Sequence, residues 1–338
     1  MRFLFPAVIA LLPTATLAAD FRATITDAVN EHVLTRIDAL AETTATLAST
    51  AQQDCAPTSA PLRAAYGTAF DAWIAASHLR FGPSEAENRA YALSFWPDTR
   101  SATPKTLAGL IASEDAAVDD PAEFAEVSIA GRGFYALEFA LYDPAISAAD
   151  PVYLCKLITA LTRDIADTSA AIQADWHGGY AALLLQPGVD GNDTYRSESE
   201  ALQELYKALN TGLQVTADTR LGMPLGTFDR PRPKRAEARR SARSKRHVEV
   251  SLVTLRDLAL RLASGDETAT TELTAAFDRA FDQLETIDDP TFAGVADPMQ
   301  RFQIEALQQS IHQITNAVAA QLSPLLGVGE GFNALDGD

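Results

Sequence analysis

Histidine and cysteine are scarce in this sequence, five and two residues among 338. None of the five histidines belongs to a His-Glu-x-x-His pair. There is no Walker A phosphate loop and no Gly-x-Ser-x-Gly elbow. These absences remove the common zinc-peptidase, nucleotide-binding and serine-hydrolase signatures. Strand-like alternation and short-period repeats are missing too. No stretch beyond the N-terminal segment is long and apolar enough to span a bilayer. Gly131-Arg132-Gly133-Phe134-Tyr135-Ala136 fits a loose dinucleotide-binding pattern ending in Ala. That pattern needs a preceding strand, and Ala122 to Ala130 reads as helix.

Positive charge is also in short supply. With 27 Lys/Arg against 45 Asp/Glu the formal net charge is −18. Phosphate backbones would be repelled, so nucleic acid is not expected as a partner. One segment runs against this balance. Nine of the Lys/Arg and one acid, Glu237, fall between Arg230 and His247, which leaves the rest of the chain at −26. Its arginines are expected to pair with carboxylates of neighbouring helices or to line an anion-binding cleft.

What is present begins with Arg2, an apolar run from Phe3 to Leu12, and small residues ending Leu17-Ala18-Ala19. Residues 1–19 therefore read as a cleavable signal peptide, and the mature protein as exported and without a membrane span. Export permits a disulfide between Cys55 and Cys155, the alternative being two separate buried thiols. A bridge would close a loop for which chain entropy sets an upper guide of about 4.7 kcal/mol.

Nearly every segment reads as helix. Ile25, Val29, Val33, Ile37 and Leu40 recur at three- and four-residue steps, the mark of an amphipathic helix. Further helices are expected over Pro61 to Arg80, after a Ser84/Glu87 capping box, from Thr103-Pro104, over Pro121 to Tyr142, and from Asp150-Pro151 to Gly178-Gly179. Gln186 to Tyr195, rich in Gly, Pro, Asn and Asp, is the best domain boundary. Beyond it, helices are expected from Ser197 to about Asp218, Lys234 to Ala263, Asp266 to Glu285, and along a last segment from Met299 to Leu322. The fold class is all-α, built of packed bundles.

Inside the apolar run Gly133 to Tyr142 sits one carboxylate, Glu138, with Tyr135 one turn before it on the same face. An ionised Glu in a dry helix is costly without a partner, so Glu138 needs one, and an arginine of the basic segment is the natural choice. Gly131 and Gly133, each costing about 1 kcal/mol relative to Ala in a helix, point to a kink or a close backbone approach.

Gly133, Tyr135 and Glu138 resemble the Gly-x-His-x-x-Glu signature of the imelysin family, with tyrosine in place of histidine. Three more blocks look similar to that family. They are His78-Leu79-Arg80-Phe81-Gly82-Pro83 with Phe95-Trp96-Pro97-Asp98, the Arg/Ser-rich segment Pro233 to Arg246, and the tail Gly331 to Asp338. In the basic block Arg239 and Ala242 replace an expected tryptophan and glycine. The resemblance implies two helical-bundle domains, residues 20–190 and 191–338, with a cleft between them. It also implies a periplasmic protein linked with iron acquisition, in a family first described as metallopeptidases.

On this reading the cleft binds a metal or small ligand through His78, Arg80, Asp98, Gly133, Tyr135 and Arg243. Glu138 is the candidate catalytic or metal-binding acid, with His78 as second ligand to a divalent iron or zinc ion. A neutral phenol at 135 is a poor ligand for such an ion. A metal-dependent peptidase, with Glu138 as ligand or general base, is the second reading. An interaction protein with a decayed site is the third, and another envelope protein is a conceivable partner.

Overall fold

A computed structural model of the chain describes residues 21–329. The expected signal peptide and the tail Gly331 to Asp338 lie outside the described residues. Ten principal helices carry the fold: α1 (Phe21–Asp27), α2 (Thr35–Gln53), α3 (Ala60–Ala76), α4 (Ala102–Ser113), α5 (Gly133–Tyr142), α6 (Pro151–Asp175), α7 (Glu198–Gln214), α8 (Ser244–Leu262), α9 (Glu267–Glu285) and α10 (Pro298–Leu326). There is no strand among the described residues, only one β-bridge between Thr227 and Arg230. The fold is all-α. None of its helices is long and apolar enough to cross a membrane among the described residues.

Local chemistry starts these helices where the sequence placed them. Asp150 accepts from the Val152 and Tyr153 amides at 3.0 Å, with Pro151 in the first turn, and Asp297 and Pro298 repeat the device for α10. Ser197 caps α7 through the Glu200 amide, and Asp266 caps α9 through that of Ala269. Such caps contribute about 1 kcal/mol each by satisfying amides that lack an intrahelical acceptor.

Packing gathers the helices into two groups that share a continuous apolar core. In one, α2 lies against α3 and α6, and α5 packs on α6 and α4. In the other, α9 lies between α8 and α10, and α7 packs on α8 and α10. Contacts of α1 with α7 and α8, and of α3 with α8, join the groups. A disulfide between Cys55 and Cys155 ties the loop after α2 to α6, across 100 residues.

Three expectations need correction. Pro121 to Tyr142 is not one helix: a short helix Pro121–Ala125 and a 3-10 turn Ile129–Gly131 precede α5. Ser84 lies in a 3-10 turn, and left-handed Glu87 and Asn88 precede the uncapped helix Arg89–Leu93. The basic segment is not α-helical before Ser244; a single 3-10 turn, Pro233–Arg235, opens it. Ala238 and Ala242 take φ of +45° and +56°, and turn bonds such as Arg243 N–H to the Ala238 carbonyl (3.0 Å) fold residues 233–243 into a strap.

Candidate functional site

The site forms where the strap meets α5. Gly133 opens α5 with φ +72°, and a Cβ there would lie 2.2 Å from the Ala92 carbonyl oxygen. Only glycine permits that approach. It brings the turn Phe95 to Ser101 and the start of α4 beside α5, where the Trp96 and Tyr135 rings stack with centroids 6.2 Å apart.

From the strap, Glu237 turns inward and is 2 % exposed. The Tyr135 hydroxyl donates to one of its oxygens, and Arg220 Nε donates to the other at 2.8 Å. His247 Nδ1 stands 3.2 Å from that second oxygen, but out of line for a hydrogen bond. Burial alone would raise this carboxyl. Arg220, with His247 and Tyr135, overrides it and holds the group at about 2. The same burial, reinforced by the Glu237 charge, pushes the Tyr135 phenol well up, so it stays protonated.

Glu138, also 2 % exposed, has a different partner. The Ser241 amide (2.9 Å) and hydroxyl (2.8 Å) both donate to Glu138 Oε1. Burial raises its pKa, and the Ser241 bonds only moderate the rise. The expected arginine partner is absent because the nearby guanidiniums have other bonds. Arg240 Nε bonds Asp143 at 2.7 Å while its guanidinium covers the Phe139 ring at 3.6 Å, and Arg243 pairs with Asp71.

Between these walls lies a cleft of about 280 Å³. Trp96, Asp98, Tyr135 and Glu138 face Lys234, Arg235, Arg239 and Arg240 across it. Lys234, Arg235 and Arg239 make no ion pair among the described residues; Arg239 Nε bonds only the Lys234 carbonyl, at 3.1 Å. Asp98 is occupied as a cap, accepting from the Ala102 (2.9 Å) and Thr103 (2.8 Å) amides, which hold its pKa down against burial.

The residues singled out from sequence thus divide. Asp98, Tyr135 and Glu138 meet at the cleft, and Gly133 shapes its backbone. Arg80 bonds Glu85 at 2.5 Å and lies over the Tyr91 ring. His78 is buried against His32, Nε2 to Nε2 at 2.8 Å, and lines a separate cavity of about 20 Å³ with Ser77, Arg220 and Thr254. Glu138 and His78 therefore have separate partners. Among the described residues no group of three or more His, Cys, Asp or Glu is arranged to hold a metal ion. The residues present do not fit a resident divalent cofactor.

Sequence reasoning passed over His32, Arg220, His247 and Asp257. Glu237 was visible as the one acid in the basic run, but nothing in the spacing said that it faced inward.

The imelysin family model matches residues 33–318. Two solved structures share the fold. An imelysin-like protein from Psychrobacter arcticum 273-4 is 21% identical with a TM-score of 0.77, covering 93% of this chain and 98% of that one. A provisionally named iron-regulated protein A precursor from Parabacteroides distasonis ATCC 8503 is 12% identical with a TM-score of 0.76, covering 91% of this chain and 95% of that one. Comparison with curated proteins gives no match. With the family model spanning most of its length and the same helical fold, the chain belongs to the imelysin family.

Proposed function

We propose that this is an exported binding protein that takes a small anionic ligand in the cleft between α5 and the basic strap. One observation carries the reading. In a chain of net charge −18, Lys234, Arg235 and Arg239 converge on a concave surface without ion-pair partners among the described residues. Cations that face a cleft unpaired are available to carboxylate or phosphate oxygens, and arginine binds such groups through two parallel N–H bonds. Trp96 supplies an apolar wall beside them.

The link with iron, suggested by the name of the Parabacteroides relative, fits this cleft if the metal arrives inside an anionic complex. A carboxylate chelate carries its own ligands, so the protein need supply only charge and shape. The α5 side and the strap then act as the two walls, and the Cys55–Cys155 bridge suits an exported protein. The peptidase reading has no comparable support, because a metal-activated water needs a held metal and the ligands do not converge.

Titration calorimetry of the whole protein with citrate, ferric citrate and phosphate tests the proposal. Saturable binding of at least one is expected. Arg235→Ala with Arg239→Ala should weaken it about 10-fold or more, since bonds to charged groups contribute about 1.5–3 kcal/mol each. Absence of binding, or equal binding by the double variant, would reject an anion cleft.

A further inference from the structure

Two buried polar clusters differ in how far their bonds are completed. Around His32 both ring nitrogens are engaged: Nε2 meets His78 Nε2 at 2.8 Å and Nδ1 meets Asp257 Oδ2 at 2.7 Å. Arg36 Nη2 donates to that same Asp257 oxygen at 2.8 Å. Glu138 is only half engaged. The Ser241 amide and hydroxyl both go to Oε1, and Oε2 takes no hydrogen bond among the described residues. In a side chain only 2 % exposed, a carboxyl oxygen is seldom left without a partner.

The side chains around Glu138 do not supply that partner. Arg240 is taken by Asp143 and Arg243 by Asp71. The Tyr66 hydroxyl is close enough to feel the Glu138 charge but does not bond to it. Glu138 lines the cleft, and Oε2 is not enclosed by protein, so this is the oxygen turned to whatever enters. Arg239, on the strap, lies within electrostatic reach of Glu138 without pairing with it. Lys234 is exposed and Arg235 and Arg239 are half-buried, so the cationic side of the cleft is its more open side.

We infer that the cleft takes a hydroxycarboxylate, with its carboxylates on Lys234, Arg235 and Arg239 and its hydroxyl on Glu138 Oε2. The inference rests on the anion-cleft reading above and adds that Glu138 selects among anions. What suits Oε2 follows from its burial. An anionic oxygen brought there would lose its water and would need Glu138 to keep a proton. An ammonium would need Glu138 to lose that proton, and it would sit beside Arg239 and Arg240. A hydroxyl brings no charge into the enclosed position. It both donates and accepts, so it pairs with Oε2 whether or not the carboxyl is ionised. The charged oxygens of the same ligand stay on the open side, where guanidinium groups meet them with less loss of water. A cleft of about 280 Å³ has room for a small polycarboxylate.

Titration calorimetry of the whole protein in metal-free buffer, with citrate against tricarballylate, the same tricarboxylate without the hydroxyl, tests the inference. Citrate should bind about 10-fold or more tighter, because the analogue leaves an enclosed polar atom unpaired. In Glu138→Leu the two should bind within about 2-fold of each other. Glu138→Gln keeps a polar group at that position and should retain part of the preference. The wild-type comparison needs no variant, so it decides the matter even where Glu138→Leu fails to fold. Equal binding of the two acids by the wild type, or a citrate preference that survives in Glu138→Leu, would overturn the role of Glu138 and leave the anion cleft standing. Tighter binding of aspartate than of malate would overturn it too, by giving Oε2 to an ammonium. So would binding of phosphate without citrate. Absence of binding by every anion would remove the inference together with the reading it rests on.

Discussion

Glu138 and Glu237 are equally buried acids at the same junction, and the protein treats them in opposite ways. Glu237 is surrounded by a guanidinium, a phenol and an imidazole, which keep it ionised. Glu138 receives only the two donors of Ser241 and is pushed toward its neutral form. Depth of burial therefore says little about charge; the partners decide. Glu237 is a structural ion-pair centre, whereas Glu138 is an under-compensated acid on a cleft wall.

The largest expected effect tests the first half of that contrast. Glu237→Gln leaves Arg220 buried without its counter-charge and should destabilise the fold by about 3–5 kcal/mol in denaturant unfolding. A loss below about 1 kcal/mol would mean that water reaches Arg220 and that the two acids are alike.

Acid titration comes next. The Glu237 pKa is lowered from 4.5 to about 2, so its contribution is present above pH 4.5 and is lost as pH falls toward 2. His32 is lowered from 6.5 to about 4, so the unfolded chain takes up its proton first and stability falls between those values. Each change corresponds to about 3 kcal/mol at most. Stability should therefore decline in two overlapping stages from pH 6.5 downward. Glu237→Gln should shrink the lower stage, to which Asp98 and Asp257 also contribute, and leave the upper one in place; a curve with the same shape in both proteins would contradict the assignment.

Glu138 should show the smallest effect and the opposite sign. Its raised pKa means that its stabilising contribution is present at low pH and is lost as pH rises through the folded-state value. In Glu138→Gln the amide oxygen can still accept from Ser241. A change within about 1 kcal/mol at pH 7 is expected, shifting in favour of the variant as pH rises. A loss as large as that of Glu237→Gln would make Glu138 a second ion-pair centre.

How much of this was legible beforehand follows from the range of the forces involved. Asp150, Ser197, Asp266 and Asp297 mark helix starts by bonds spanning two or three residues, so the order of helices could be read. The glycine pair before α5 announced the close approach that Gly133 makes to residue 92. The partners of the acids were hidden. Glu237 meets Tyr135 across 102 positions and Glu138 meets Ser241 across 103, which no local pattern encodes. The strap misled because an Arg- and Ala-rich run favours helix, and only the two left-handed alanines reveal that tertiary contacts override propensity. His32 drew no notice because its value lies in facing His78, 46 positions away.

The disulfide has a topological consequence for the cleft. Cys55 and Cys155 close a covalent ring that contains Trp96, Asp98, Tyr135 and Glu138, the whole of one wall. Lys234, Arg235, Arg239 and Arg240 lie outside it. One protease cut anywhere within the ring leaves a single covalent molecule, its ends still tethered. One cut in the strap divides the chain into two pieces held by packing alone. Reducing agent would erase that asymmetry, so the two walls differ in how they survive a single cut.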